Sequence, residues 1–406
     1  MKKKTQSKNA LVFIFCTVIL DTIGIGIIFP IMPDLLFDLG FQNIADAAFW
    51  AGLLSASYAS MQFLFSPIIG TISDAFGRRR IILLALFAMC IDYIILGFAN
   101  TIWILFLGKI LAGITGSTIP TATAYLADVS SKGDKAKNFG LIGAAFGLGF
   151  VFGPLIGGLL GEISPRAPFF MSALLAGINF LFGFFILPES LQNRRRRKIR
   201  WKDLNPFLSL IRVFTNVDLR IIFLSVFLVQ IANWVYPSIW SFWAKATFSW
   251  TTSMIGISLA AYGVGIAFVQ GLLIRHKRVA ETKPKNLIIF CLLVGAIALL
   301  GFGFIKSAWL VFAFIPLAAL SEIFDPTIKS YLSNQVDMNK QGELQGILFS
   351  IRGVTTFLSP LIMTYIFRTF SNSQNELPFI PGMPFIFSAL LLLLALVPLV
   401  GKMKAT

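Results

Sequence analysis

Long apolar runs recur along this chain and restrict what it can fold into. The 406 residues are 57% hydrophobic and only 13% charged, whereas soluble globular proteins average about 25% charged residues. Apolar blocks of about 20 residues are long enough to cross roughly 30 Å of hydrocarbon as a helix. A membrane barrel would instead show segments of about ten residues with alternating polarity. The sequence therefore predicts an all-α polytopic membrane protein.

Twelve apolar spans can be counted. They lie at about 10–32, 49–72, 79–99, 101–128, 137–160, 167–187, 218–244, 252–275, 286–305, 308–333, 343–368 and 382–401. The N-terminal tail and the gaps after spans 2, 4, 6 and 8 are rich in Lys and Arg. Since basic residues concentrate on the cytoplasmic side of a membrane, both termini are predicted to be cytoplasmic. This placement also explains the net charge of +16 without a nucleic-acid partner.

The chain contains an internal repeat. Laying the sequence on itself with an offset of 206 gives eleven identities without a gap across residues 103–154, including Trp103 with Trp309 and Pro154 with Pro360. Two homologous six-helix halves are the plan of a transporter with a central site. We therefore predict an N-terminal bundle over 1–190, a basic cytoplasmic linker over 191–216 and a C-terminal bundle over 217–406.

Ionisable residues lie inside several spans. Asp21 is the only charged residue between positions 10 and 32, Asp92 lies in span 3 and Lys109 in span 4. A charge at the centre of a spanning helix costs about 2.5–3.5 kcal/mol on insertion scales, so such residues usually mark a functional path. We expect Asp21 and Asp92 to bind protons or substrate, with Lys109 as the counter-charge. A static buried pair that fixes helix packing is the alternative.

Span 10 carries a further group of charges in the sequence SEIFDPTIKSY. The spacing of Glu322, Asp325 and Lys329 places all three on one face of a continuous helix. Asp325 and Lys329 can neutralise each other as an i,i+4 pair. The alternative is a second site for protons or a cationic substrate, formed by Glu322 and Asp325.

Two motifs resemble those of the major facilitator superfamily. The loop GTISDAFGRRR, residues 70–80, resembles the signature loop between spans 2 and 3, although Ala75 stands where the family usually has arginine. The resemblance implies that Asp74 and Arg78 form part of a latch on the cytoplasmic face. The stretch GLGFVFGPLIGG, residues 147–158, resembles the motif of the antiporter branch, and its glycines every fourth residue allow close backbone approach. Gly149, Gly153 and Pro154 are therefore candidates for a role in gating.

The resemblance narrows to the tetracycline/proton antiporters of the bacterial inner membrane. It is carried by stretches such as ILDTIGIGIIFPIMP, GKILAGITGSTIPTATAYLADVS and QVDMNKQGELQG. The family's functional residues on spans 1 to 4 match Asp21, Gln62, Asp92 and Asp128, and we take Asp128 as a gating residue. The family exchanges a tetracycline–divalent-metal chelate for a proton, so a metal such as magnesium would arrive with the cargo.

Some positions depart from that family or have two interpretations. The basic residue of span 4 is usually arginine but is Lys109 here, which lacks the bidentate guanidinium fork. The histidine that some members carry on span 8 is absent. Asn233, Trp234 and Tyr236 of span 7 are candidates to line a cavity for an aromatic cargo, although Trp and Tyr also anchor helices at the membrane interface.

These features predict a proton-coupled transporter that exports a small amphiphilic molecule. It is not expected to be an enzyme, and the absence of a GxxxxGK[ST] loop argues against ATP as the energy source. We expect no cofactor and no resident metal, since the three cysteines fall in apolar spans. A monomer in the lipid bilayer is expected. The alternatives are transport of an endogenous metabolite, such as a chelator or nucleoside-like compound, and a membrane protein that does not transport.

Overall fold

The fold of the chain is all-α. The computed structural model describes residues 2–116, 118–130, 134–191, 219–337, 340–372 and 377–402, and the regular elements in these ranges are helices. Nearly all of the predicted linker, 192–216, lies outside the described residues. The predicted all-helical membrane fold is confirmed.

Seven α-helices precede the linker and nine follow it in the described residues. The first seven are α1 (Lys2–Asp38), α2 (Ile44–Phe76), α3 (Arg78–Gly97), α4 (Ile102–Thr115), α5 (Thr118–Val129), α6 (Lys135–Ile163) and α7 (Ala167–Ile186). The others are α8 (Arg220–Asn233), α9 (Val235–Phe248), α10 (Thr252–Gly271), α11 (Lys277–Ala280), α12 (Pro284–Phe304), α13 (Ala308–Ser321), α14 (Phe324–Asn334), α15 (Gln341–Ser371) and α16 (Met383–Lys402).

Most of the predicted spans are single helices of membrane-crossing length. Eleven stretches of the described residues are both long and apolar enough to cross a bilayer. They correspond to eleven of the twelve predicted spans, and the remaining span lies in α2. That helix has 33 residues but is interspersed with polar side chains such as Ser57, Tyr58 and Gln62, which lower its hydropathy.

Three predicted spans are interrupted near their middle. Span 4 divides into α4 and α5 at Gly116, span 7 into α8 and α9 at Trp234, and span 10 into α13 and α14 at Glu322 and Ile323. At the last of these, the backbone NH of Glu322 bonds the carbonyl of Ala319 at 3.1 Å, three residues back. This is the tighter pattern of a 3₁₀ turn. Such breaks leave polar backbone groups at membrane depth, where they need side-chain partners.

Two compact units can be distinguished by their contacts. Unit 1 contains the described residues of Met1–Gly40, Ser57–Asn205 and Thr251–Ala260, and unit 2 those of Phe41–Ala56, Pro206–Trp250 and Ala261–Thr406. Each unit thus combines helices from both halves of the sequence. The boundaries predicted at 190 and 217 stay a prediction.

Each unit has its own packed interior. In unit 1, α1 packs along α6 and buries an apolar cluster that includes Phe13, Ile82 and Tyr125. In unit 2, the interior is aromatic: Trp243, Phe302 and Phe385 are nearly inaccessible to solvent. The candidate site residues therefore lie on tightly packed helices.

Candidate functional site

Unit 1 places a carboxylate in the middle of its first spanning helix. Asp21 of α1 is only 6% exposed, and no hydrogen bond or ion pair to its carboxylate is found within the described residues. Its charge acts on the hydroxyls of Tyr58 and Tyr93. The hydroxyl of Tyr93 lies against Gly24, one turn along α1, where a side chain would collide with it. Glycine at this position therefore allows α1 and α3 to approach beside Asp21.

A second buried carboxylate lies on α3. Asp92 is 4% exposed, and its Oδ1 atom has no hydrogen-bond partner in the described part of the chain. Lys109 of α4 is the cation that acts on it electrostatically, and the two side chains are not within ion-pair distance. The ammonium of Lys109 instead lies 6.0 Å from the ring centre of Tyr58. The predicted counter-charge is thus nearby but leaves Asp92 free to bind another group.

Gln62 bridges the break in span 4. Its Nε2 atom donates to the carbonyl of Gly116 at 2.9 Å and to the hydroxyl of Tyr58 at 3.1 Å. The carbonyl is available because the residue four positions further on is Pro120, which has no backbone NH to donate. Four predicted site residues therefore lie in unit 1: Asp21, Gln62, Asp92 and Lys109. Tyr58 contacts two of them, since its hydroxyl accepts from Gln62 and its ring lies 6.0 Å from the ammonium of Lys109.

Unit 2 places a third carboxylate at the break in span 10. The Oε1 atom of Glu322 accepts a hydrogen bond from the hydroxyl of Tyr262 at 2.8 Å. Tyr262 stacks on Tyr236, with 5.0 Å between ring centroids and 30° between planes. Tyr236, predicted to line a cavity, is buried and also contacts the rings of Trp240 and Phe302.

The charges of span 10 do not share one helical face. Asp325 and Lys329 lie in α14 and form an i,i+4 ion pair of 2.6 Å. Glu322 precedes that helix, at the end of α13, and bonds α10 instead. The expectation of a single face assumed a continuous helix, which the break removes. Of the other predicted residues of span 7, Asn233 ends α8 and Trp234 forms the break; both are half-buried.

The predicted latch residues meet at the end of α2. Arg78 pairs with Asp74 at 3.0 Å and with Asp128 of α5. The backbone NH of Arg78 donates to Glu189 at 2.9 Å. Gly77 between α2 and α3 has a φ of 107°, which L side chains rarely adopt, and a side chain there would strike Glu189. The turn thus requires glycine, and it brings three helices and the segment after α7 together around one arginine.

The glycine stripe of α6 lies against α1. A Cβ atom at Gly153 would lie 2.9 Å from the Cα atom of Gly26, and Gly149 faces Thr22 one turn earlier. Pro154 contributes to the same contact, since its Cδ atom would lie 2.9 Å from a Cβ atom at Gly26. These helices touch through their backbones beside the helix face that carries Asp21.

Sequence reasoning missed several contributors to these groups. Tyr58 lies four residues before Gln62 on one helix, so helical periodicity could have identified it. Tyr262 and Glu189 act on residues 60 and 111 positions away, and only the fold brings these partners together.

The described residues hold no group of three or more His, Cys, Asp or Glu side chains arranged to hold a metal ion. The carboxylates of Asp21, Asp92 and Glu322 instead stand without an ion-pair partner among the described residues. This arrangement is suited to exchanging protons or binding a cationic group.

Comparisons with known proteins agree on one family. The sequence profile described as Major Facilitator Superfamily matches residues 14–360 and 222–404. The chain is 38% identical over 380 residues to the Escherichia coli protein named "Tetracycline resistance protein, class C", covering 93% of this chain and 94% of that protein. It is 36% identical over 359 residues to the class B protein of Escherichia coli, covering 86% of each.

A solved structure shares the fold at low sequence identity. The crystal structure of the nucleoside transporter NupG superposes with a TM-score of 0.79, covering 98% of this chain and 100% of that chain at 13% identity. At this identity the likeness concerns the fold alone.

Proposed function

Because the chain belongs to the Major Facilitator Superfamily, whose members transport solutes across membranes, we propose that it exports a small amphiphilic, tetracycline-like molecule in exchange for protons. The cargo class is supported by relatives that are named for tetracycline resistance and align over most of the chain. Proton exchange is supported by the buried carboxylate of Asp21, which has neither an ion-pair nor a hydrogen-bond partner among the described residues. That carboxylate is the observation on which the proposal chiefly depends.

The unit 1 residues have distinct roles in this proposal. Asp21 takes up a proton when its surroundings are open to one side of the membrane and releases it on the other. Asp92 binds a positively charged part of the cargo, or the metal ion that accompanies the cargo. It does so through Oδ1, which has no hydrogen-bond partner in the described part of the chain. Lys109 limits the excess negative charge, and Gln62 with Tyr58 provides hydrogen bonds beside it.

The latch is proposed to couple these events to alternating access. Arg78 joins two carboxylates, Asp74 and Asp128, on separate helices. Breaking these ion pairs would free the end of α5 from the turn between α2 and α3. The contact of Gly149, Gly153 and Pro154 with α1 would carry a movement of α6 to the helix that bears Asp21. We propose the bacterial inner membrane as the location, with both termini in the cytoplasm, and a monomer as the working form.

Proton exchange can be tested in inside-out vesicles that hold an acid-interior pH gradient, followed by a quenched dye. Tetracycline with magnesium is added to vesicles that contain the wild type, Asp21→Asn or Asp38→Asn. Asp38 is a matched control because it lies on the same helix but is an exposed partner of Arg166, at 2.8 Å. We expect dye recovery in the wild type and in Asp38→Asn, and none in Asp21→Asn.

The result that would overturn the proposal is equally specific. Recovery in Asp21→Asn at the wild-type rate, with equal amounts of inserted protein, would remove Asp21 from the proton path. No recovery in the wild type would remove tetracycline as cargo. The alternative of an endogenous metabolite has no support from the likeness to the nucleoside transporter, which is limited to the fold at 13% identity.

A further inference from the structure

Glu322 is a carboxylate at membrane depth that forms no ion pair within the described residues. No Lys, Arg or His side chain of the described residues forms an ion pair with it, since the nearby Lys329 pairs with Asp325. Two charged groups act on it from a greater distance, Asp325 of α14 and Arg352 of α15. Among the described residues, the hydrogen bond that it accepts comes from the neutral hydroxyl of Tyr262. Burying a charge without a partner is costly, so a structural role does not explain why this residue is acidic.

Aromatic rings pack beside this carboxylate. Tyr262 donates to Glu322, and Tyr236 stacks on Tyr262. The ring of Tyr236 is fixed from behind by edge contacts with Phe302 at 6.2 Å and by Phe385 at 6.3 Å. A half-buried carboxylate held by a rigid tyrosine, with further aromatic rings beside it, can attract an organic cation.

The internal repeat shows that an acid is not needed for the break itself. With the offset of 206, Glu322 corresponds to Gly116, and both residues lie where a span is interrupted. In the first half the free carbonyl of Gly116 is bound by the amide of Gln62, and the break carries no charge. In the second half the same position carries a carboxylate, held by a tyrosine of α10. The difference between equivalent positions points to a ligand.

We propose that Glu322 and Tyr262, with Tyr236 stacked behind Tyr262, form a subsite in unit 2 that binds the ammonium or iminium group of a flat organic cation. The subsite rests on the proposed function, because it supplies one contact to the exported cargo. It narrows the cargo class to amphiphiles that carry a positive charge next to an apolar or aromatic body. It is separate from the proton exchange assigned to Asp21 in unit 1.

The subsite can be tested by equilibrium dialysis of the purified protein in detergent with labelled tetraphenylphosphonium. This probe is a permanently charged aromatic cation, so its binding needs no proton gradient. We expect Glu322→Gln to weaken its binding by at least about tenfold, and Tyr236→Leu to weaken it by several-fold because Tyr262 loses the ring on which it stacks. Glu281→Gln, which changes an exposed acid on a loop, is expected to bind like the wild type.

Folding and coupling are controlled separately. Each variant is checked for a single symmetrical peak in size-exclusion chromatography, and Glu322→Ala provides a second uncharged variant if the amide variant does not fold. Wild-type affinity in Glu322→Gln, or in Glu322→Ala where the amide variant does not fold, would overturn the subsite. Because dialysis involves no proton movement, this result would leave the vesicle test of Asp21 unaffected. A failed vesicle test would likewise leave the dialysis result standing.

Discussion

Gln62 shows how one side chain stabilises an interrupted membrane helix. The carbonyl of Gly116 has lost its helical partner, and the amide of Gln62 replaces that partner at 2.9 Å. The same amide group contacts Tyr58, so the two donors of one nitrogen serve one acceptor each. In hydrocarbon, an unsatisfied carbonyl has no water to bond.

We therefore expect Gln62→Leu to lower the free energy of unfolding by about 1–3 kcal/mol, the usual cost of leaving a buried polar group unsatisfied. Thermal unfolding in detergent would measure the change. Gln270→Leu is the matched control, since Gln270 is exposed near the end of α10, and it should not destabilise the protein. Equal melting temperatures for Gln62→Leu and the wild type would show that the hydrogen bond to Gly116 contributes nothing.

Single residues in the candidate site were predictable to different degrees. Asp21, Asp92 and Lys109 are visible in the sequence because a charge inside an apolar run is costly and seldom occurs without a functional reason. The pairing of Asp325 with Lys329 follows from their spacing. The bond from Tyr262 to Glu322 could not be predicted, because it joins residues 60 positions apart across a break that hydropathy does not reveal.

The pair α1 and α6 is the closest helix contact that the candidate site depends on. Gly149, Gly153 and Gly157 recur every fourth residue and form one face of α6. A side chain at Gly157 would collide with the backbone of Ile27, and no side-chain movement could relieve that collision. By contrast, a Cβ atom at Gly143 of the same helix would meet nothing within 4 Å.

We expect Gly157→Ala to destabilise the protein by about 1–3 kcal/mol, the usual cost of overpacking a tight interface. Gly143→Ala should leave stability unchanged or raise it by up to about 1 kcal/mol through helix propensity. Both variants can be compared by thermal unfolding in the same detergent. If the two changed stability alike, the contact between α1 and α6 would not require glycine at position 157.

At the scale of elements, length and apolarity predicted where helices lie but not where they break. The twelve predicted spans all coincide with helices in the described residues, with ends that differ by several residues. The breaks at Gly116, Trp234 and Glu322 each involve only one to three residues inside a predicted span, so a hydropathy window averages over them. The helix that packs against the glycine stripe of α6 was likewise not predicted. The stripe indicates a close contact but does not identify α1 as the partner.

The internal repeat relates contacts across the whole molecule. With the offset of 206, Glu162 at the end of α6 corresponds to Arg368 near the end of α15. In unit 1, Glu162 accepts a hydrogen bond from the backbone NH of Ser253 at 3.0 Å, at the start of α10. In unit 2, Arg368 pairs with Asp46 at 2.7 Å, at the start of α2. The ends of α6 and α15 are equivalent in the repeat, and each bonds the start of a helix from the other half of the sequence. The bonding side chain is an acid in α6 and a base in α15.

These two contacts join helices from different halves of the sequence. The pair of Asp46 and Arg368 is reinforced by the ring of Phe49, whose centre lies 4.9 Å from the guanidinium. Because both charged side chains are more than a third exposed, the pair is worth only about 0–1 kcal/mol by itself. Reversing one charge replaces attraction with repulsion and so has a larger effect than deleting it.

We therefore expect Arg368→Asp and Asp46→Arg each to lower the melting temperature, and the double variant Asp46→Arg/Arg368→Asp to recover part of that loss. The recovery is partial because the reversed pair has aspartate, not arginine, at position 368 beside Phe49. Glu281→Lys is the control, since its partner Lys277 is 3.9 Å away and both side chains are largely exposed. A double variant that was no more stable than the less stable single variant would show that the ion pair does not hold α2 to α15. A double variant more stable than both single variants would show that the ion pair stabilises the contact between α2 and α15. The charge at position 368 would then be a means of adjusting the strength of that contact.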